Sequence, residues 1–278
     1  MAPRSLVNSR MTNEALVPQA VPLGANPERG GHDTEAITRF LTELGAGAPG
    51  LLQSVASDGR GMWPRFHTTD DDGLNAAVTR LDNISRAGLS APNNAHHLYI
   101  QVSTCKTNPN EDTDQPEHGV FGRKRGGKKG ASHLLCLWND IDFGLDGHAE
   151  GQEGNLPLPP DAETAHQIYV NSGLPQASAI VNSGGGLYEI CFLKVPFDVT
   201  DPEIHARVES VTRRWQQLLE KTAREMGYRY GVGVYNLERI LRVPGTVNRK
   251  VWNNQRRSVA EYSGLRYSFG KRPLLALL

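Results

Sequence analysis

The sequence predicts an α+β protein: an RRM-like (ferredoxin-like β-α-β-β-α-β) core preceded by an N-terminal α/β subdomain. Three observations lead there. From residue 133 onward, short apolar runs and amphipathic helical patterns follow the order strand, helix, strand, strand, helix, strand. The second of those helices, residues 201–227, carries the clearest apolar stripe in the chain. Residues 32–132, which come first, hold two helical patterns and a strand, enough for a subdomain leaning on the core. Two helices on one face of such a sheet leave the other face open for a site.

Residues 1–31 scatter Pro, Gly, Asn and Arg without periodicity and read as a flexible lead-in. The first helix is "DTEAITRFLTELG". Asp33 or Thr34 caps it, Ile37, Phe40, Leu41 and Leu44 share one face, and Gly45 suits its C-terminus. "AAVTRLDNISRAG" (76–88) reads as a second short helix and "HHLYIQVSTC" (His96 to Cys105) as a strand. Residues 106–132 are polar, with "EDTDQPE" ahead of "GRKRGGKKG". This stretch is either a solvated excursion or an arm that brings Arg123, Lys124, Arg125, Lys128 and Lys129 onto phosphates.

The core, residues 133–278, begins with "HLLCLWNDIDF" (133–143) as one strand. After a Gly/Pro-rich insertion at 144–160, "DAETAHQIYVNSG" is a helix. "ASAIVNS" (177–183) and "LYEICFLKV" (187–195) are strands joined by Gly184, Gly185 and Gly186. The long helix follows, with Ile204, Val208, Val211, Trp215, Leu218, Leu219, Thr222 and Met226 on its stripe and Gly227 at its end. "RILRVPG" (239–245) supplies a fourth strand.

Composition narrows the class. The chain has 278 residues, 38% hydrophobic and 22% charged, so it can bury a real core while keeping many loops. Thirty basic and thirty acidic side chains cancel, so attraction to nucleic acid has to come from local patches. Cys105, Cys136 and Cys191 lie far apart without a C-x-x-C spacing, which argues against a disulfide framework and for the reducing cytoplasm. No apolar run approaches the roughly 20 residues a membrane helix needs. The nine histidines include His96, His97 and His133, none with a ligand partner at useful spacing.

Three stretches carry chemistry. In "LWNDIDFG", Asp140 and Asp142 fall on one face of a strand, one pleat apart. Two carboxylates that close repel unless a cation or a shared proton intervenes, and Mg²⁺ or Mn²⁺ suits paired oxygen ligands. The alternative is a strand end fraying into solvent. In "NSGGGLYEICF", three glycines let a ligand approach the backbone and its N–H groups, and Ser183 adds a hydroxyl suited to phosphate. A plain hairpin turn would need only two such residues. From Arg239 to Arg257 there are six basic residues and no acidic one, with Arg242, Asn248 and Lys250 around a Pro-Gly turn. That pattern fits a triphosphate or a nucleic-acid backbone, and a solvated basic edge fits it too. Tyr235 and Trp252 lie close enough in sequence to stack a base, although core packing is the commoner fate of either.

Taken together, a D-x-D strand, an S-G-G-G turn into a strand, and "R-x-x-R-x-P-G-T-x-N-x-K" in that order resemble the archaeo-eukaryotic primase superfamily. The similarity covers about residues 96–252 and is greatest to the primase-polymerase domains of phage and plasmid replication proteins. The resemblance implies a primase-polymerase type of fold and template-directed nucleotidyl transfer by a two-metal site. Asp140 and Asp142 would be metal ligands, with the third catalytic position at Asn236, where the family has aspartate. Ser183, Gly184, Gly185, Gly186, Tyr188 (where the family has histidine), Arg242, Asn248 and Lys250 would bind the nucleotide. Arg123, Lys124, Arg125, Lys128, Lys129, Arg249, Arg256 and Arg257 would follow the template.

The implied partners are a single-stranded DNA template and NTP or dNTP. No G-x-x-x-x-G-K-[ST] sequence occurs, so a helicase would be another domain or another chain. Asn236 offers a carbonyl oxygen without charge, and Tyr188 donates a hydrogen bond while staying neutral. Those two departures support a second reading, a weakened or inactive nucleotide- and DNA-binding domain of the same fold. A metal-dependent nuclease is a third.

Overall fold

The computed structural model describes residues 32–59, 61–90, 97–111, 124–144, 156–231, 233–248 and 256–268. The lead-in at 1–31 and the expected site residues Arg123, Arg249 and Lys250 lie outside the described residues, as does Trp252.

Helix α1 (Thr34–Gly45) is capped by Asp33, whose carboxylate accepts from the Ala36 N–H at 3.0 Å, and it buries the expected face of Ile37, Phe40, Leu41 and Leu44. Strands β1 (Leu52–Ser57) and β2 (Met62–His67) form an antiparallel pair that periodicity did not suggest. The reason is visible in their composition: β1 is buried at all six positions, serines and glutamine included, while β2 carries Pro64 and an exposed Arg65. Helix α2 (Asp71–Ser90) starts earlier than its apolar pattern, because the Asp70 carboxylate accepts from the Gly73 N–H at 2.8 Å.

The strand expected at His96 to Cys105 divides into β3 (His97–Gln101) and β4 (Ser103–Cys105), which lie in different sheets. Val102 is the crossing point. Its N–H donates to Arg239 O at 2.9 Å, and its carbonyl accepts from Leu135 N at 3.0 Å. One buried residue therefore bonds both sheets.

The first sheet has the order β2-β1-β3-β9, with β9 spanning Ile240–Arg242. The second runs β12 (Val259–Tyr262), β7 (Ala179–Asn182), β8 (Gly186–Asp198), β5 (Ala131–Trp138), β4. Short β6 (Ile141–Asp142) pairs with β8, and β10 (Val247–Asn248) pairs with β11 (Arg256–Arg257). Helices α4 (Ala162–Asn171) and α5 (Pro202–Glu225) complete the second unit, α4 packing on β8 and α5. A one-turn helix, α3 (Gly127–Gly130), precedes β5.

The α+β class and the strand-helix-strand-strand-helix series hold, but the fourth strand sits elsewhere. Segment 240–242 pairs with β3 in the first sheet, because β4 already occupies the edge of β5. Ile204 of the predicted stripe is exposed on α5, and Thr212 and Gln216 are buried in its place. Apolar packing is continuous between the sheets: Phe40 of α1 meets Phe192 of β8 with ring centroids 6.2 Å apart. Among the described residues no helix is long and apolar enough to cross a membrane.

An acid–imidazole pair joins α4 to β8. Glu189 is fully buried, and one of its oxygens lies 3.3 Å from His166 Nδ1 on α4. Burial pushes the Glu189 carboxyl up, and hydrogen bonding to the Glu189 carboxylate raises His166. The folded pair therefore binds more protons than the same groups in the unfolded chain, so folding stability falls as pH rises above the ordinary carboxyl range and through the imidazole range. Melting temperature measured across pH should decline through that window in the native protein and decline less in Glu189→Gln. Equal slopes would contradict the assignment.

Candidate functional site

The β7–β8 connection is a tight turn. Ser183 N–H donates to Gly186 O at 2.8 Å and its hydroxyl donates to the same oxygen at 2.9 Å. Gly184 adopts φ 93°, a left-handed conformation that a side chain would disfavour, and its N–H donates to Asn182 Oδ1 at 2.9 Å. Asn248 braces the turn from β10, its Nδ2 donating to Ser183 O at 2.7 Å. On the far side, Phe143 N–H donates to Gly185 O at 3.2 Å and Asp142 pairs with Gly186 across β6–β8.

The apolar run expected as one strand breaks at Asn139 and Asp140. Asn139 N–H donates to Glu189 O at 3.2 Å, and its side-chain carbonyl takes the Glu189 N–H at 2.6 Å. A side chain thus replaces a rung of the ladder, and Asp140 is left outside regular pairing. Both acids nonetheless turn to the hairpin. A Cβ built on Gly186 would lie 3.4 Å from Asp140 Oδ1, from Asp142 Oδ1 and from Ser183 Oγ. Three oxygens therefore converge on one backbone position, and only glycine leaves the space between them open.

The other Asp140 oxygen is occupied. Arg239 Nη2 donates to Oδ2 at 2.8 Å, with the two side chains 30% and 19% exposed. Behind it Tyr230 is buried beside the Asp140 backbone, and its hydroxyl donates to Gln216 Oε1. Gln216 in turn donates to Trp138 O at 2.7 Å, tying α5 to the end of β5.

Tyr188 projects next to the acids. Burial, then the Asp140 charge, push its phenol well above the ordinary tyrosine range, so it is a neutral group near the Ser183 hydroxyl. Arg242 flanks it. Its Nη2 lies 3.3 Å from His97 Nδ1 and 3.4 Å from the Tyr99 hydroxyl, and its guanidinium sits 5.2 Å from the Tyr99 ring centre. Among the described residues, Arg242 Nη1 and Arg239 Nε are buried N–H donors without a hydrogen-bond acceptor. Such orphans cost about 1–3 kcal/mol each when nothing fills them.

The turn residues Ser183, Gly184, Gly185 and Gly186 thus come together with Asp140, Asp142, Tyr188, Arg242 and Asn248. Asn236 is on the segment leading to β9, its carbonyl accepting from Arg239 N–H at 2.9 Å. Among the described residues no third His, Cys, Asp or Glu joins the two aspartates.

The expected template contacts are more dispersed. Arg125 is drawn inward, donating to Glu238 O at 2.6 Å, and burial lowers its pKa with Arg239 adding a like charge. Lys128 pairs with Glu209, and the Lys124 backbone pairs with the Asn110 side chain. Lys129 is exposed on α3. Arg257 lies 3.6 Å from the Asp33 carboxylate, and Arg256 belongs to β11. Tyr235 lies under the Arg213 guanidinium at 4.1 Å. Sequence reasoning passed over Arg239 and Tyr230; the basic run from Arg239 was the available signal for the first, and nothing local marked the second.

No family model matches the chain, and no curated protein matches it. Among solved structures, the chain is similar to the AEP domain (PP-N190) of the primase-polymerase of cyanophage S-2L. That likeness has a TM-score of 0.53 at 14% identity and covers 90% of this chain and 100% of that one. A weaker likeness, TM-score 0.44 at 12% identity, is to the catalytic domain of primase Repb' in complex with initiator DNA, over 84% of this chain and 86% of that one. The chain therefore has the archaeo-eukaryotic primase fold.

The bracing role of Asn248 is open to test. Asn248→Ala removes one hydrogen bond, worth about 1 kcal/mol, from the Ser183 carbonyl. Amide exchange at Gly184 to Leu187 should accelerate several-fold while the α5 amides stay unchanged. Unaltered exchange at the turn would show that β10 does not hold it.

Proposed function

We propose that this chain is a metal-dependent, template-directed nucleotidyltransferase, the primase-polymerase module of a phage or plasmid replication protein. The observation that carries the reading is the convergence of Asp140 Oδ1, Asp142 Oδ1 and Ser183 Oγ on the backbone of Gly186. Hard oxygen donors aimed at one small space suit Mg²⁺ or Mn²⁺, so Asp140 and Asp142 fit as the protein ligands of such ions. Bound there, two ions would supply Lewis-acid stabilisation of phosphoryl charge and activation of a hydroxyl nucleophile.

The remaining roles belong to the chain's own groups. The Ser183 to Gly186 turn, with no side chain at Gly184, Gly185 or Gly186 to block approach, lets the phosphates of an incoming NTP or dNTP come close to the backbone. Arg239 Nε and Arg242 Nη1 are buried donors without acceptors among the described residues, and a polyphosphate would satisfy them. Tyr188, kept neutral by burial, donates a hydrogen bond without adding charge. A single-stranded DNA template completes the reading, steered by local basic groups, since the chain as a whole has no net charge.

A second reading, nucleotide and DNA binding without turnover, is favoured by one observation: among the described residues no third acidic or imidazole ligand accompanies the pair. Primer extension on a single-stranded template with Mn²⁺ and NTPs or dNTPs separates the two. The native protein should extend, and Asp140→Ala or Asp142→Ala should reduce the rate roughly a hundred- to a thousandfold. Extension that survives both substitutions contradicts the proposal. Silence in the native protein, with activity gained in Tyr188→His plus Asn236→Asp, establishes the binding-only reading.

A further inference from the structure

We infer that Arg239 is a positioning residue that divides the Asp140 carboxylate between two tasks, holding Oδ2 so that Oδ1 stays aimed at the ion site. The inference rests on the metal-binding reading above and adds a residue to it. Its basis is the split of one carboxylate: Oδ2 receives Arg239 Nη2 at 2.8 Å, while Oδ1 stands with Asp142 Oδ1 at Gly186.

Arg239 is itself fixed at both ends. Its carbonyl accepts from Val102 N–H and its N–H donates to Asn236 O, each at 2.9 Å, and the next residue begins β9. Val102 is also bonded to Leu135 on β5, the strand that leads to Asp140. The guanidinium and the carboxylate are thus registered through Val102, a residue at which the two sheets meet. The Arg239 side chain is partly exposed, with Nε buried and Arg125 near enough to act on it as a like charge.

Two effects of the guanidinium oppose each other. Its charge repels a divalent cation, but its hydrogen bond holds Asp140 against the repulsion of Asp142. The ion pair is only partly buried, so solvent weakens the charge effect, whereas the loss of orientation is not screened. Hydrogen-bonded partners of metal ligands are generally worth about 10- to 100-fold in metal affinity. Orientation should therefore win.

The test titrates Mn²⁺ alone into the full chain, followed by the electron paramagnetic resonance signal of the free ion. Affinity in Arg239→Gln should fall about tenfold, and Arg239→Lys should recover part of the loss. Circular dichroism and melting temperature identify any variant that has merely unfolded, and Asp140→Asn gives the baseline for a lost ligand. Equal or tighter Mn²⁺ binding in folded Arg239→Gln overturns the inference while leaving the metal site standing. No Mn²⁺ binding by the native chain removes the metal reading and this inference with it.

Discussion

Two carboxylates aimed at one backbone position repel each other, and the fold is built to keep them there. Asp142 is fixed by β6, which pairs with the start of β8 directly after the glycine turn. Asp140 is released from the ladder by Asn139 and then caught by Arg239. Gly186 leaves the space between the acids empty. Each device would be a defect in an ordinary sheet: a broken strand, a charged pair within a partly buried cleft, a turn with no side chains. On the function proposed above, together they would hold the two acids ready for a cation.

The junction of the two sheets sets the geometry of that place. Val102 bonds Arg239 on one side and Leu135 on the other, so the strand ending near the acids and the segment carrying the arginines cannot shift independently. Asn248 and Tyr188 close the other sides, one bracing the Ser183 carbonyl and the other standing neutral between Asp140 and Arg242. The site therefore depends on both sheets, although its acids and glycines come from the second alone. Among the described residues the donors Arg239 Nε and Arg242 Nη1 lack acceptors, an unmet demand for an anion close to the two acids. On the function proposed above, a metal–polyphosphate pair would answer both at once.

Much of this was legible in the sequence. The stripe of α1, the span of α5 and the glycine turn follow from helical period and turn chemistry, which are local. Asp140 and Asp142 were correctly read as neighbours, but by the wrong route: alternation along an unbroken strand puts them together on paper, whereas in the fold Asp140 lies between strands. The division of residues 97–105 between two sheets could not be read, because a crossing strand has the same composition as a continuous one. For the same reason β9 looked like the fourth strand of the core, and only the occupation of the β5 edge by β4 sends it elsewhere. Arg239 stood inside the basic motif, yet its contact with Asp140 spans 99 residues of sequence and has no local signature.

The most direct measurement is a crystal grown or soaked with Mn²⁺ and a nucleotide, with anomalous scattering recorded at a wavelength where manganese contributes strongly. The account predicts a peak from manganese held by the Asp140 and Asp142 carboxylates, with the phosphates of the nucleotide against the Ser183 to Gly186 turn. A well-ordered nucleotide without that peak, or manganese bound away from both carboxylates, would contradict it.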